Sequence, residues 1–164
     1  MRPLSACIIT VSTRAAQGIY EDASGSILAA GLAEQGFQIS ERVIVPDDLA
    51  KISGEIEKAL HHGTRLIVTT GGTGVSPTDL TPEATLPWIE KMLPGFSESL
   101  RAHSRAQTPL SDLTRGLAGT AGKSLIINLP GSPGGVRDGL IIISRLVEHI
   151  LSQLDCEDHS GSTR

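Results

Sequence analysis

Aromatic side chains are scarce in this sequence: among 164 residues there are one Trp, one Tyr and two Phe. A core of ordinary size must therefore be built from Leu, Ile, Val and Ala. Cysteine is equally sparse. Cys7 sits in an apolar run and Cys156 in a polar tail, which excludes a disulfide framework and fits a reducing compartment. There is no basic excess. The formal net charge of −4 argues against a nucleic-acid partner and means that any anionic ligand must be held by local groups. No segment approaches the roughly 20 apolar residues of a membrane span. The opening Met-Arg-Pro-Leu-Ser does not read as a signal peptide, so a cytoplasmic protein is expected. Repeats and linkers are also missing, and the length fits one domain: residues 1–154, with residues 155–164 as a flexible, polar C-terminal tail.

What is present is an alternation of short apolar runs with helical patterns, the pattern of βαβ units around a largely parallel sheet. Strands are expected at residues 4–11, 37–45, 65–70 and 124–129. Helices are expected at residues 22–35, 48–62, 81–92, 96–105 and 133–154. Gly36 and Gly63 are placed to end helices, and Thr81-Pro82 reads as a cap followed by proline at the first helical position. Pro94-Gly95 reads as a break. Residues 106–123 carry no clear pattern. The last helix shows an apolar stripe at Val136, Leu140, Ile143, Val147, Ile150 and Leu154.

The residues with chemistry to offer follow the ends of expected strands, where ligands bind in open α/β sheets. Two of these loops are glycine-rich, Gly71-Gly72-Thr73-Gly74 and Pro130-Gly131-Ser132-Pro133, and helices follow both. Such turns offer backbone N–H groups and helix N-termini to an anion. Neither carries the Lys-Ser/Thr pair of a Walker loop nor the dinucleotide fingerprint. Asp47, Asp48 and Asp79 lie on the same edge. Magnesium favours one or two carboxylates together with substrate phosphates, although an Asp at a helix start is also an ordinary cap. Ser12, Arg14, Arg115, Lys123 and Arg137 could contact phosphates or stand as surface groups. His61 and His62 suit a helix C-terminus, no histidine has a partner at zinc-ligand spacing, and Cys7 reads as core.

The string Thr69-Thr70-Gly71-Gly72-Thr73-Gly74, followed by Asp79-Leu80-Thr81-Pro82-Glu83-Ala84, resembles the Mog/MoaB family of molybdopterin-binding proteins. Val11-Ser12-Thr13-Arg14, Val45-Pro46-Asp47-Asp48, Pro94-Gly95-Phe96, Leu113-Thr114-Arg115 and the run from Leu125 to Pro133 extend the resemblance to about residues 5–154. The resemblance implies a three-layer α/β sandwich, usually trimeric, that adenylylates molybdopterin with Mg-ATP, releases pyrophosphate and hands its product to a molybdate-inserting enzyme. A non-catalytic carrier or scaffold of the same fold is the alternative.

Carried over by position, Asp47 and Asp79 are expected to hold magnesium and support transfer. Gly71, Gly72, Thr73 and Gly74 are expected to take nucleotide phosphates, with Pro130, Gly131, Ser132 and Pro133 lining the nucleotide side. Ser12, Arg14, Ser104, Thr114 and Arg115 are expected on the molybdopterin side. Thr114 departs from the Ser common in relatives; it keeps the hydroxyl and adds a methyl.

Overall fold

In chain order the elements are β1 (Ser5–Val11), a single turn α1 (Thr13–Ala16), α2 (Ala23–Glu34), β2 (Gln38–Val45), α3 (Leu49–His61), β3 (Leu66–Thr70), α4 (Thr81–Thr85), β4 (Lys91–Met92), α5 (Pro94–Ser104), β5 (Ala118–Ala121), β6 (Ser124–Leu129) and α6 (Pro133–Leu154). This computed structural model describes residues 4–156. Most of the expected tail, with His159, lies outside the described residues.

Strand side chains alternate between two cores. Ala6 and Ile8 of β1, Leu66 and Val68 of β3, and Leu125, Ile127 and Leu129 of β6 pack with α2, α5 and α6. Cys7, Ile9 and Val11, Ile67 and Ile126 point the other way and pack with Ile52, Ile56 and Ala59 of α3 and Ala84 of α4. Because both faces are covered, the central strands read as continuous apolar runs. The result is the expected three-layer sandwich. The sheet order is β2-β1-β3-β6-β5-β4; the first four strands are parallel, and β5 runs antiparallel to both neighbours. The chain leaves β1 towards β2 on one side and returns to β3 on the other. A crevice therefore opens at the carboxyl ends of β1 and β3.

Gly36 and Gly63 end α2 and α3 as the sequence suggests, with φ of +89° and +69°. In both, the next residue's N–H reaches back to close the helix, Phe37 to the Leu32 carbonyl and Thr64 to that of Ala59. No helix among the described residues is long and apolar enough to cross a membrane.

Several expectations are corrected. The helix over residues 81–92 stops at Thr85 and passes through a 3-10 turn, Leu86–Trp88, into β4. Pro87 has no N–H to donate to Glu83 and its ring crowds that carbonyl, so the helix cannot continue. Thr81 does not cap α4, since Leu80 holds that position. Instead the buried Thr81 hydroxyl donates to the Gly71 carbonyl at 2.8 Å, and its N–H donates to the Gly72 carbonyl. Pro94 does not break a helix; it opens α5, where a missing N–H costs nothing. Residues 106–123 contain a 3-10 turn, Pro109–Leu113, and β5. Small residues hide this strand, and Gly119 must be small because a Cβ there would meet Ile89 and the Lys91 carbonyl. Asp155 caps α6 and accepts a hydrogen bond from Arg65 at 3.0 Å.

Candidate functional site

Two cavities flank the segment of residues 130–133. The first, of about 450 Å³, is lined by the ends of β1 and β3, by Asp47 after β2, and by Gly131 and Pro133. The second, of about 530 Å³, is lined by Ser104, Thr114, Pro130 and Ser132, together with the first turns of α6. Pro130 and Ser132 thus face one cavity while Gly131 and Pro133 face the other, and this single glycine-rich turn is their shared wall. The resemblance places all four on the nucleotide side; Gly131 and Pro133 line the first cavity and Pro130 and Ser132 the second.

Asp47 is positioned by a residue that the sequence reading overlooked. Thr13 donates to Asp47 Oδ2 from its N–H at 3.1 Å and from its hydroxyl at 2.8 Å. Asp47 returns its own N–H to Thr13 Oγ1 at 3.1 Å. No described residue bonds Oδ1, so one oxygen of the carboxylate is held and the other is open. Asp48, by contrast, is an exposed cap, accepting the Lys51 N–H at 2.9 Å.

Asp79 closes the loop after β3 on itself: Oδ2 accepts the Ser76 N–H at 3.0 Å, and the Asp79 N–H donates to the Ser76 carbonyl. A Cβ at Gly74 would lie 2.7 Å from that carboxylate and would push it aside. Asp79 and Asp47 lie on one rim of the sheet. Thr78, beside Asp79, shares with Asp47 a third hollow that also contains Ser12, Arg14 and Tyr20.

The loop Gly71–Gly74 divides its labour. The Gly71 N–H donates to the Leu129 carbonyl, and φ of +100° together with the nearby Val11 carbonyl excludes a side chain. The N–H groups of Gly72, Thr73 and Gly74 have no acceptor among the described residues. Of these three residues Gly72 lines the first cavity, while Thr73 is buried. Thr73 accepts the Thr114 hydroxyl at 3.0 Å.

Of the five residues expected on the molybdopterin side, Ser104 and Thr114 line the second cavity, whereas Ser12, Arg14 and Arg115 do not. Arg115 Nε donates to the Gly74 carbonyl at 2.8 Å, Nη2 to the Asp79 carbonyl at 3.0 Å, and Nη1 to Glu83, while its N–H donates to the Thr73 carbonyl. It clamps the Asp79 loop and is not among the residues lining the second cavity. The Arg115 bond holds the Glu83 carboxyl below its ordinary range. Sequence could have shown Glu83 as part of the matched string, but not that its partner lies 32 residues away.

Ser12 caps α1, accepting the Ala15 N–H, and pairs with the Tyr20 hydroxyl at 2.6 Å; Arg14 is exposed at the rim of the third hollow. In the second cavity the Ser104 hydroxyl donates to Asp138 at 2.6 Å, and Arg137 joins the lining. Lys123 lies elsewhere, 3.5 Å from Asp155. Cys7 is core: burial, with Glu41 adding, pushes its thiol up to about 12. Asn128, in the matched string, is a buried tie. It donates to Thr69 and Thr85 at 2.9 and 3.0 Å and accepts the Leu117 N–H.

With this geometry in view, the chain was compared with known proteins. Residues 7–149 match a family described as "Probable molybdopterin binding domain". A molybdopterin adenylyltransferase of Helicobacter pylori is 39% identical over 85% of this chain and 81% of its own length. A molybdenum cofactor biosynthesis bifunctional protein of Synechococcus elongatus is 38% identical over 94% of this chain, which spans only 48% of that larger relative. The solved structure of the molybdopterin biosynthesis Mog protein from Mycobacterium ulcerans superposes with a TM-score of 0.88 at 44% identity, covering 92% of this chain and 99% of that one.

Proposed function

The chain belongs to the molybdopterin-binding-domain family, and on that premise we propose that it is a molybdopterin adenylyltransferase of molybdenum cofactor biosynthesis. One observation carries the reading: two cavities meet at the turn of residues 130–133, and the first is also lined by Gly72 and Asp47. The pterin occupies the second cavity and ATP the first, so that the pterin's phosphate reaches the triphosphate across a single wall.

The reaction is an in-line displacement. An oxygen of the substrate's terminal phosphate attacks the α-phosphorus of ATP, a new P–O–P bond forms, the α–β bond breaks, and pyrophosphate leaves. The N–H groups of Gly72, Thr73 and Gly74 stabilise the charge on the phosphates. The α6 N-terminus, capped by Ser132, adds partial positive charge at the wall. Asp47 and Asp79 would hold magnesium. The open Asp47 Oδ1 suits it, since this ion favours few carboxylates plus substrate phosphates. Bound there, it supplies charge neutralisation. Ser12 and Arg14 border the approach on the Asp47 side, Ser104 and Thr114 contact the pterin portion, and Arg115 supports the loop between them.

The protein works as one cytoplasmic domain, assembles as a homotrimer, and hands its product to a molybdate-inserting enzyme. The decisive experiment incubates it with molybdopterin, ATP and magnesium and detects the AMP adduct by mass. Asp79→Asn should stay folded and yield no adduct. Near-normal turnover in that variant removes Asp79 from the mechanism, and retention of pterin without pyrophosphate release in the native protein favours the carrier role.

A further inference from the structure

We propose that Asp138 reads the amino-pyrimidinone edge of the pterin and sets which bicyclic ring the second cavity accepts; this rests on the reading of that cavity as the pterin's. Asp138 lies in the second turn of α6, with its side chain 16% exposed and lining the cavity. It is the only acid among the described residues of the lining, beside Leu110, Pro130, the glycines at 134 and 135 and one cation, Arg137. A carboxylate in such surroundings must be compensated. Part of that compensation is on hand: Ser104 donates to Oδ2 at 2.6 Å, and His103 Nε2 lies 3.5 Å from Oδ1.

Neither contact saturates the group. A carboxylate has about four acceptor positions, and the short Ser104 bond uses one of them. What remains suits a planar ligand with two adjacent N–H donors. The 2-amino group and N3–H of a pterin are such a pair, and they meet a carboxylate as a guanidinium does, side by side. A negative group here is wrong for the phosphate end of the substrate. With Arg137 also in the lining, the carboxylate keeps the ring at Asp138 and leaves the phosphate to the wall at residues 130–133. Ser104, in this arrangement, orients the carboxylate as well as facing the ligand.

The test uses pterin and lumazine, which differ in that lumazine carries a carbonyl acceptor where pterin carries the 2-amino donor. Binding of each to the purified protein is followed through the ring's own fluorescence. Native protein should prefer pterin by about ten-fold, the scale of one hydrogen bond to a charged group. In Asp138→Asn the amide can still accept from Ser104 but cannot take two donors, and its donor–acceptor pair matches lumazine, so the preference should fall to unity or below while the affinity for AMP is unchanged. An unchanged pterin-to-lumazine ratio in the variant overturns the role of Asp138 and leaves the pterin cavity standing. Failure of the native protein to bind pterin sinks the cavity assignment and this inference with it. Should the variant not fold, the native ratio alone decides, and a value near one overturns the proposal.

Discussion

Thr13 and Asp47, 34 residues apart in sequence, are joined by three hydrogen bonds, of which two converge on the same carboxylate oxygen. They tie the turn after β1 to the end of β2 and fix the direction of the open oxygen. In Thr13→Val the hydroxyl is lost, and with it two of the three bonds, while the side-chain shape and the bond from the Thr13 N–H remain. A hydrogen bond to a charged group is worth about 1.5–3 kcal/mol. If that orientation matters for transfer, kcat for pyrophosphate release should fall roughly 10- to 100-fold. The thermal midpoint should move little, because Thr13 and Asp47 are both only half-buried. Thr13→Ser should restore turnover. An unchanged kcat in Thr13→Val would show that Asp47 orientation is not limiting.

Arg115 makes a second prediction, through the fork geometry of its guanidinium. It reaches Gly74, Asp79 and Glu83 at once. Lysine offers one compact charge and cannot span three acceptors. Arg115→Lys should therefore lower kcat about ten-fold or more with the fold intact, and Glu83→Gln should do so less, since the two carbonyl bonds persist. The pH dependence has a definite sign. Glu83 is held below its ordinary value of 4.5 by the Arg115 bond. The ion pair therefore stabilises the loop above that value and releases it as pH falls through the depressed one. Native protein should lose loop protection in hydrogen exchange over this acid range, and Glu83→Gln should show no such step.

These two ties explain why the sequence revealed the fold better than the site. The two-sided apolar runs of β1, β3 and β6 and the glycines at 36 and 63 are local signals, and the elements appear where they predict. The matched string was equally visible, and it brought Asp47, Asp79 and the glycine loop to one rim. What it hid was long-range. Nothing local distinguishes Thr81 as a cap from Thr81 as a latch on the Gly71 carbonyl, because the choice depends on how β3 and α4 pack. β5 was invisible because Ala118 and Gly119 have little strand preference, and its place is set by the close approach of β4. Asp138 carried no signal: its meaning comes from Ser104, 34 residues earlier, arriving beside it.

The two cysteines give a third prediction. Cys7 is buried with its thiol pushed up to about 12, whereas Cys156 is exposed. Near pH 8 Cys7 is held as the unreactive thiol and is shielded from reagent, whereas Cys156 is accessible. A thiol reagent should titrate one equivalent in native protein and two after unfolding. Burial also couples to stability. A folded value raised above the ordinary 9.0 stabilises the protein below that pH, and this contribution is lost as pH climbs towards about 12. Cys7→Ala should fall less steeply than native protein across this alkaline range. Two rapid equivalents in the native state would mean that the α3 face opens readily.

Gly71 and Gly18 separate the cost of a backbone conformation from the cost of a close approach. Both have positive φ, +100° and +73°. A Cβ at Gly18 would meet nothing within 4 Å, whereas one at Gly71 would strike the Val11 carbonyl oxygen. Gly18→Ala should then cost only the left-handed conformation, about 1–2 kcal/mol. Gly71→Ala adds a collision with backbone that cannot rotate away, so the end of β1 or the loop itself must shift. Its cost should be roughly 3 kcal/mol or more in urea unfolding. Because that loop carries the N–H groups of Gly72, Thr73 and Gly74, nucleotide affinity should fall in Gly71→Ala and stay unchanged in Gly18→Ala. Equal losses of stability in the two variants would mean that conformation alone matters at Gly71, and that the approach of β3 to β1 at this point is softer than its contacts imply.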